Sequence, residues 1–276
     1  MIKRILVPTD GSEYASVGVR FAVALARRYQ AALVGLHVVD IRLLEGPFLR
    51  DISASLGTAP YVNYQGNISL ILEERGHAAL EAFRRMCEEE GVTCEAVQTT
   101  GVVVRCILEK SELADLIVMG RGGEHGQWLD GLVGSTTAGV VRGAKQPVLV
   151  TGIDAPGTKR CLAAYDGSPH AKRALQAAAS IAADWRLSCH VLVVGDEKAS
   201  ALINEAQAYL DAHGIKAEYV LREGDPSETI VAYARECASD LLIMGAYGHT
   251  KVRELVVGST TAYVLNNAPC PLLLSR

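Results

Sequence analysis

No stretch of this chain is apolar over a membrane-spanning length, and no leader-like segment precedes its first strand-like run, "MIKRILVPTDGS". A cytoplasmic protein with no membrane partner is expected. Excess positive charge is also missing: 27 Lys and Arg stand against 31 Asp and Glu, a formal net charge of −4. That argues against a nucleic-acid partner held by phosphate neutralisation, though it leaves room for a locally basic pocket. The seven cysteines form no Cys-x-x-Cys pair and no Cys/His metal spacing. Free thiols in a reducing compartment are expected, with no disulfide frame and no metal site. Three motifs are absent as well: the GxxxxGK[ST] phosphate loop, a GxGxxG after either first strand, and the GxSxG nucleophile elbow.

What the chain does contain, it contains twice. "IKRILVPTDGSEYA" (residues 2–15) matches "TKRCLAAYDGSPHA" (158–171), and "AALVGLHVVD" (31–40) matches "LSCHVLVVGD" (187–196). "ADLIVMG" (114–120) matches "SDLLIMG" (239–245), and "QPVLV" (146–150) matches "CPLLL" (270–274). The order is kept, so the halves should share a fold. Short, nearly continuous apolar runs read as strands buried on both faces, the mark of a parallel sheet. "ASVGVRFAVALARRYQ" and "PHAKRALQAAASIAADW" carry helical spacing between them. Alternating strand and helix predicts right-handed βαβ units, with about five strands in each half. "EAVQTTG" and "EYVLREGD" supply the third strand of each. The expected domains are residues 1–152 and 157–276, joined near "TGIDAPGTK", where Gly, Pro and Asp cluster. The first half alone carries an insert, at about residues 41–67, expected as a lid, a partner surface or a disordered loop.

Each half also contains a glycine-spaced segment ending in Gly-Ser-Thr-Thr. Its plain reading is a tight turn followed by a Ser or Thr helix cap. Its functional reading adds an anion. Glycines at the carboxyl end of a parallel strand let backbone N–H groups approach a phosphate, and a helix N-terminus adds partial positive charge. On that reading Gly245, Gly248, Gly258, Ser259 and Thr260 form a phosphate cradle that needs no lysine.

Gly245-x-x-Gly248, nine residues, then Gly258-Ser259 is similar to the G-x2-G-x9-G-[ST] nucleotide motif of the universal stress protein family. A first strand ending in Asp-Gly-Ser and a second ending in Val-x-Asp extend the likeness over both halves except the insert. The chain resembles a tandem member of that family. The resemblance implies two open, five-stranded parallel-sheet α/β domains, Rossmann-like and adenine nucleotide alpha hydrolase-like, in the strand order 3-2-1-4-5. It implies ATP as the ligand, with or without Mg2+. In the second half it places Asp166 on the adenosine, the Val194 backbone on adenine, and Gly245, Gly248, Gly258, Ser259 and Thr260 on ribose and phosphates. In the first half it places Pro8, Thr9, Asp10 and Val38 on base and ribose, and Gly120, Gly123, Gly134, Ser135 and Thr136 on phosphates. It also implies pairing through the fifth strand, so "QPVLV" and "CPLLL" are expected to pair within one chain as a pseudo-dimer. Whether whole chains pair further into a homodimer stays open.

Two departures bear on the sites. Ten residues, not nine, separate Gly123 from Gly134, which either bulge harmlessly or move the cradle. Tyr165 replaces Thr9, and either crowds the base or stacks on it. Asp10 and Asp166 are weighed as ligand contacts against turn residues, and Asp40 and Asp196 as loop caps against metal-phosphate ligands. His37 and His190 are expected as satisfied groups in or near the core. His125 and His249 are expected as solvated loop histidines, and Arg121, Lys251 and Arg253 as surface cations. Ser12, His37 and Asp40 make a catalytic triad only on paper, and no base stands near a γ-phosphate. The expected activity is therefore nucleotide-dependent regulation through an unidentified protein partner, with no catalytic residues. The alternatives are an ATP-independent interaction module with a relic motif, and a slow ATPase or self-phosphorylating protein.

Overall fold

The computed structural model describes residues 2–45, 61–123, 133–152, 159–246 and 258–276. The first half supplies strands β1 (Arg4–Pro8), β2 (Ala32–Asp40), β3 (Cys94–Gly101), β4 (Leu116–Gly120) and β5 (Val148–Thr151). Its helices are α1 (Glu13–Tyr29), α2 (Ile41–Glu45), α3 (Tyr61–Glu89), α4 (Val103–Ser111) and α5 (Ser135–Gly143). The second half supplies β6 (Arg160–Ala164), β7 (Ser188–Val194), β8 (Ala217–Arg222), β9 (Leu241–Gly245) and β10 (Leu272–Ser275). With them come α6 (Pro169–Trp185), α7 (Ser200–Ala212), α8 (Pro226–Glu236) and α9 (Ser259–Asn267).

All ten strands join one sheet in the order β3-β2-β1-β4-β5-β10-β9-β6-β7-β8. Each half is parallel within itself and follows 3-2-1-4-5, as the resemblance implied. The apolar runs explain which strands lie innermost. Every residue of β4, β5, β9 and β10 is buried, whereas the outermost strands β3 and β8 are only partly covered. The sheet is covered on both faces. Phe21 of α1, Phe83 of α3 and Leu210 of α7 pack in one core, and Ile107 of α4, Val140 of α5 and Val264 of α9 in the other.

The repeat is visible in the local chemistry. Ser12 and Ser168 each cap a seventeen-residue helix by accepting from the N–H three residues on, and Gln30 and Arg186 end those helices in the left-handed region. Where the halves meet, β10 pairs antiparallel with β5, with Leu273 opposite Leu149. Each fifth strand thereby covers the other's apolar edge, leaving the more polar β3 and β8 as the sheet's outer strands. Beside the pair, the last turns of α1 and α6 meet. Trp185 Nε1 donates to Tyr29 Oη at 2.9 Å, and the Arg28 guanidinium lies 5.5 Å from the Trp185 ring centroid.

Burial pushes the Tyr29 hydroxyl up to about 12, outweighing the Trp185 hydrogen bond. The fold thus favours the neutral phenol, whose contribution is complete below pH 10 and is lost as the pH rises from 10 through 12. Wild-type stability should fall more steeply across that window than that of Tyr29→Phe, which loses about 1 kcal/mol at neutral pH by stranding the indole N–H. Denaturant midpoints along a pH series check this.

The 41–67 insert is not loop throughout. Helix α2 occupies its start, and α3 already begins at Tyr61, so the following helix runs for 29 residues. Residues 46–60 and the joining residues 153–158 lie outside the described residues.

Candidate functional site

Two pockets open at the carboxyl ends of the parallel strands, one in each half. The first, of about 280 Å³, lies over β1, β2 and β4 and is lined by residues that include Pro8, Thr9, Asp10, Val38, Gly120, Gly123, Gly134, Ser135 and Thr136. Every first-half candidate is among them. The second, of about 250 Å³, is lined by Asp166, Val194, Gly245, Gly258, Ser259 and Thr260. Gly248, His249, Lys251, Arg253 and His125 lie outside the described residues.

The glycines create these spaces by close approach. A Cβ on Gly120 would lie 2.5 Å from the Tyr14 carbonyl oxygen, and one on Gly245 would lie 2.9 Å from Ala171 N. Strand ends are thus pressed against the first turns of α1 and α6. A Cβ on Gly123 would lie 2.6 Å from Asp10 Oδ2, so the glycine loop closes over that carboxylate. Asp10 and Asp166 also serve as turn residues: Oδ1 of each accepts an N–H two residues on, from Ser12 at 3.0 Å and Ser168 at 2.9 Å. Both aspartates therefore hold the turn and line the pocket.

Gly-Ser-Thr-Thr divides its work, and the expected cap is replaced. The N-caps of α5 and α9 are Gly134 and Gly258, with no side-chain cap, so Ser135 and Ser259 are the first helical residues. By contrast α1, α6 and α8 are capped by Ser12, Ser168 and Asp225. The second threonine, missed by the motif reading, is the anchor. Thr137 Oγ1 donates to Gly120 O at 2.9 Å, and Thr261 Oγ1 donates to Ala246 O at 2.8 Å, both buried. Each helix start is thereby fixed to its strand end, while Ser and the first Thr line the pocket.

His37 is half-buried and lines the first pocket, its Nδ1 2.9 Å from Thr9 O. A carbonyl only accepts, so Nδ1 carries the proton. His190 is buried, with Nδ1 3.0 Å from Tyr233 Oη; burial lowers its pKa, as expected of a satisfied core group. Tyr165 is buried, lines the second pocket and turns its hydroxyl to Glu205 on α7; burial raises its pKa. Asp40 lines the first pocket, and burial would raise its pKa, but hydrogen bonds from Arg42 hold it below the usual range. Asp196 caps the short turn before α7 by accepting from Lys198 N at 3.1 Å. Both act as loop caps. The paper triad does not assemble: Ser12 caps α1, His37 faces Thr9 O, and Asp40 binds Arg42.

A second expectation needs correction. Arg121 is no surface cation. It is half-buried at the seam and donates through Nη2 to Ala268 O at 2.8 Å, and burial lowers its pKa. Leu72 and Arg75 of α3 also line the first pocket, and nothing in the sequence pattern marked them. Among the described residues no group of three or more His, Cys, Asp or Glu is placed to hold a metal, and no helix is long and apolar enough to cross a membrane.

A duplicated parallel-sheet unit, with a glycine-lined pocket at the carboxyl edge of each copy, defines a tandem α/β protein with matched strand-end pockets. The chain belongs to the universal stress protein family: that family's model matches residues 1–152 and 193–276. It is 31% identical to Universal stress protein Slr1230 of Synechocystis sp., the match covering 100% of both chains. It is 34% identical over 152 residues to Universal stress protein MJ0531 of Methanocaldococcus jannaschii, covering 54% of this chain and 82% of that one. A crystal structure of a universal stress protein from Archaeoglobus fulgidus shares the fold at a TM-score of 0.79, with 23% identity and coverage of 99% and 98%.

Proposed function

We propose that the protein binds ATP in both pockets and acts in the cytoplasm as a nucleotide-dependent regulator of a protein partner. The observation that carries this reading is the uncapped start of α5 and α9. Among the described residues each starts at a glycine N-cap with no side-chain cap, at a glycine-lined pocket, whereas α1, α6 and α8 are capped by side chains; α4 and α7 also lack a side-chain cap but start from Val102 and Ala199 rather than from glycine. Such a helix start suits a phosphate. Pro8, Thr9, Asp10 and Val38, and in the second half Asp166 and Val194, would meet the nucleoside. Gly120, Gly123, Gly134, Ser135 and Thr136, with Gly245, Gly248, Gly258, Ser259 and Thr260, would meet the phosphates and ribose. Any Mg2+ would be held chiefly by the phosphates, since among the described residues no group of three or more His, Cys, Asp or Glu is placed to hold a metal. The two domains, 1–152 and 157–276, would form a pseudo-dimer through β5 and β10.

A paired substitution tests this. Ser135→Asp and Ser259→Asp put a carboxylate in the first turn of each helix. There it favours the helix dipole by roughly 0.3–1 kcal/mol in the free protein and repels a phosphate. The variant should unfold at the same or a slightly higher temperature and bind ATP at least about tenfold more weakly, as read by calorimetry. Undiminished ATP binding by the stabilised variant would refute the assignment. If the helix starts were only structural corners, stability would be the sole property to change.

A further inference from the structure

The first pocket's glycine loop is held from the opposite half of the molecule. Arg121 directly follows Gly120, and its guanidinium reaches the end of α9, donating through Nη2 to Ala268 O at 2.8 Å and through Nη1 to Asn266 O at 3.5 Å. At the other end of the loop, Val133 N donates to Asn266 Oδ1 at 2.8 Å. The loop is closed on itself by Gly134 N donating to Arg121 O at 2.9 Å. Asn266 is oriented for this task, because its Nδ2 donates to Ala262 O at 2.8 Å. Both ends of the first cradle therefore rest on the last turn of α9, where unpaired carbonyls and the negative end of the dipole favour a cation. The first turn of α9, with Gly258, Ser259 and Thr260, lines the second pocket. Nine residues, about 13 Å of helix, separate the two ends.

The arrangement is one-sided. Position 246 of the second half makes the same backbone bond as Arg121, to Ser275 O where Arg121 N meets Thr151 O, but it is alanine and has no arm to extend. The return contact comes from elsewhere. Arg276, after β10, donates to Arg142 O at 3.1 Å at the end of α5.

We infer that Arg121 and Asn266 are positioning residues that hold the first pocket's loop from the second half and couple the two pockets through α9. The coupling rests on the nucleotide reading; the anchoring does not. A ligand that fixes the start of α9 also fixes the carbonyls and amide on which the first loop rests. Filling the second pocket thus raises the affinity of the first, and by linkage the reverse holds equally.

The test uses the full chain with Asn266→Ala, and with Asn266→Asp, which keeps the acceptor for Val133 N. Without nucleotide, amide exchange at residues 121–123 and 133–136 should quicken in Asn266→Ala and return towards wild type in Asn266→Asp. With ATP, the first pocket should weaken roughly three- to tenfold in Asn266→Ala, while the second, read with the first pocket empty, stays within about twofold. Blocking the second pocket with Ser259→Asp should weaken the first in the wild-type background and add nothing in Asn266→Ala. Unchanged exchange in Asn266→Ala overturns the anchoring. First-pocket affinity indifferent to Ser259→Asp overturns the coupling. Wild-type protein that binds no ATP overturns the nucleotide reading and the coupling with it, while exchange in the free protein still decides the anchoring.

Discussion

Gly120→Ala is expected to destabilise the protein by about 2–4 kcal/mol, the largest change in stability foreseen for a single added methyl group. The added Cβ would lie 2.5 Å from the Tyr14 carbonyl oxygen and 2.6 Å from its carbon. These are backbone atoms in the first turn of α1, so no rotamer change can relieve the contact. Either β4 or the start of α1 must shift, and β4 is buried throughout and paired on both sides. Gly245→Ala should cost less, because its nearest contacts, at 2.9 Å, are Ala171 N and the Cβ of His170, and a smaller displacement suffices. Urea unfolding with an unchanged m value would give both numbers and their order. Two neutral substitutions would mean that strand and helix are less tightly joined than described.

Gly123→Val should have the opposite profile. Gly123 has an ordinary backbone conformation, so a side chain there meets only a steric obstacle, the Asp10 carboxylate 2.6 Å from its Cβ. That carboxylate is tied through Oδ1 to Ser12 N and cannot retreat without opening the turn before α1. The branched side chain would displace the glycine loop rather than the tied Asp10 and fill the first pocket. First-pocket ATP affinity should fall at least about thirtyfold, equivalent to about 2 kcal/mol, while the second pocket loses only the coupling to the first. Stability should change by less than about 1 kcal/mol, because the loop lies at the mouth of the pocket. Calorimetric titration and a thermal melt on one preparation separate the two effects. Equal binding in Gly123→Val and wild type would remove the glycine loop from the site.

Those glycines were legible in the chain because their constraint is local. A strand that turns into a helix over a ligand leaves glycine, hydroxyl residues and an apolar run within a few positions. The strands were legible for a similar reason, since "LIVMG" and "LLIMG" are too continuously apolar for a sheet with a wet face. Strand order was different: it came from the resemblance, and pairing then followed it. What escaped were residues whose partners are distant in the chain. Arg121 looked like a loop cation beside a phosphate site, yet its acceptors lie about 145 positions away, at Asn266 and Ala268. Arg75 enters the first pocket because α3 is long, and helix length across the insert is not written in a local motif. Thr137 and Thr261 were visible as letters, but only the fold shows that they tie each helix to its strand while the preceding threonine faces the pocket. Asp40 and Asp196 occupy matched positions, yet each caps its own loop through a neighbour two residues on.

The central claim is that each half carries a working nucleotide pocket. Equilibrium titration of nucleotide-free protein with ATP and Mg2+, read as equivalents bound per chain, tests it most directly. Two equivalents are predicted, falling to one in Gly123→Val and in Ser259→Asp and to none when the two are combined. No saturable binding by the wild-type chain would contradict the claim.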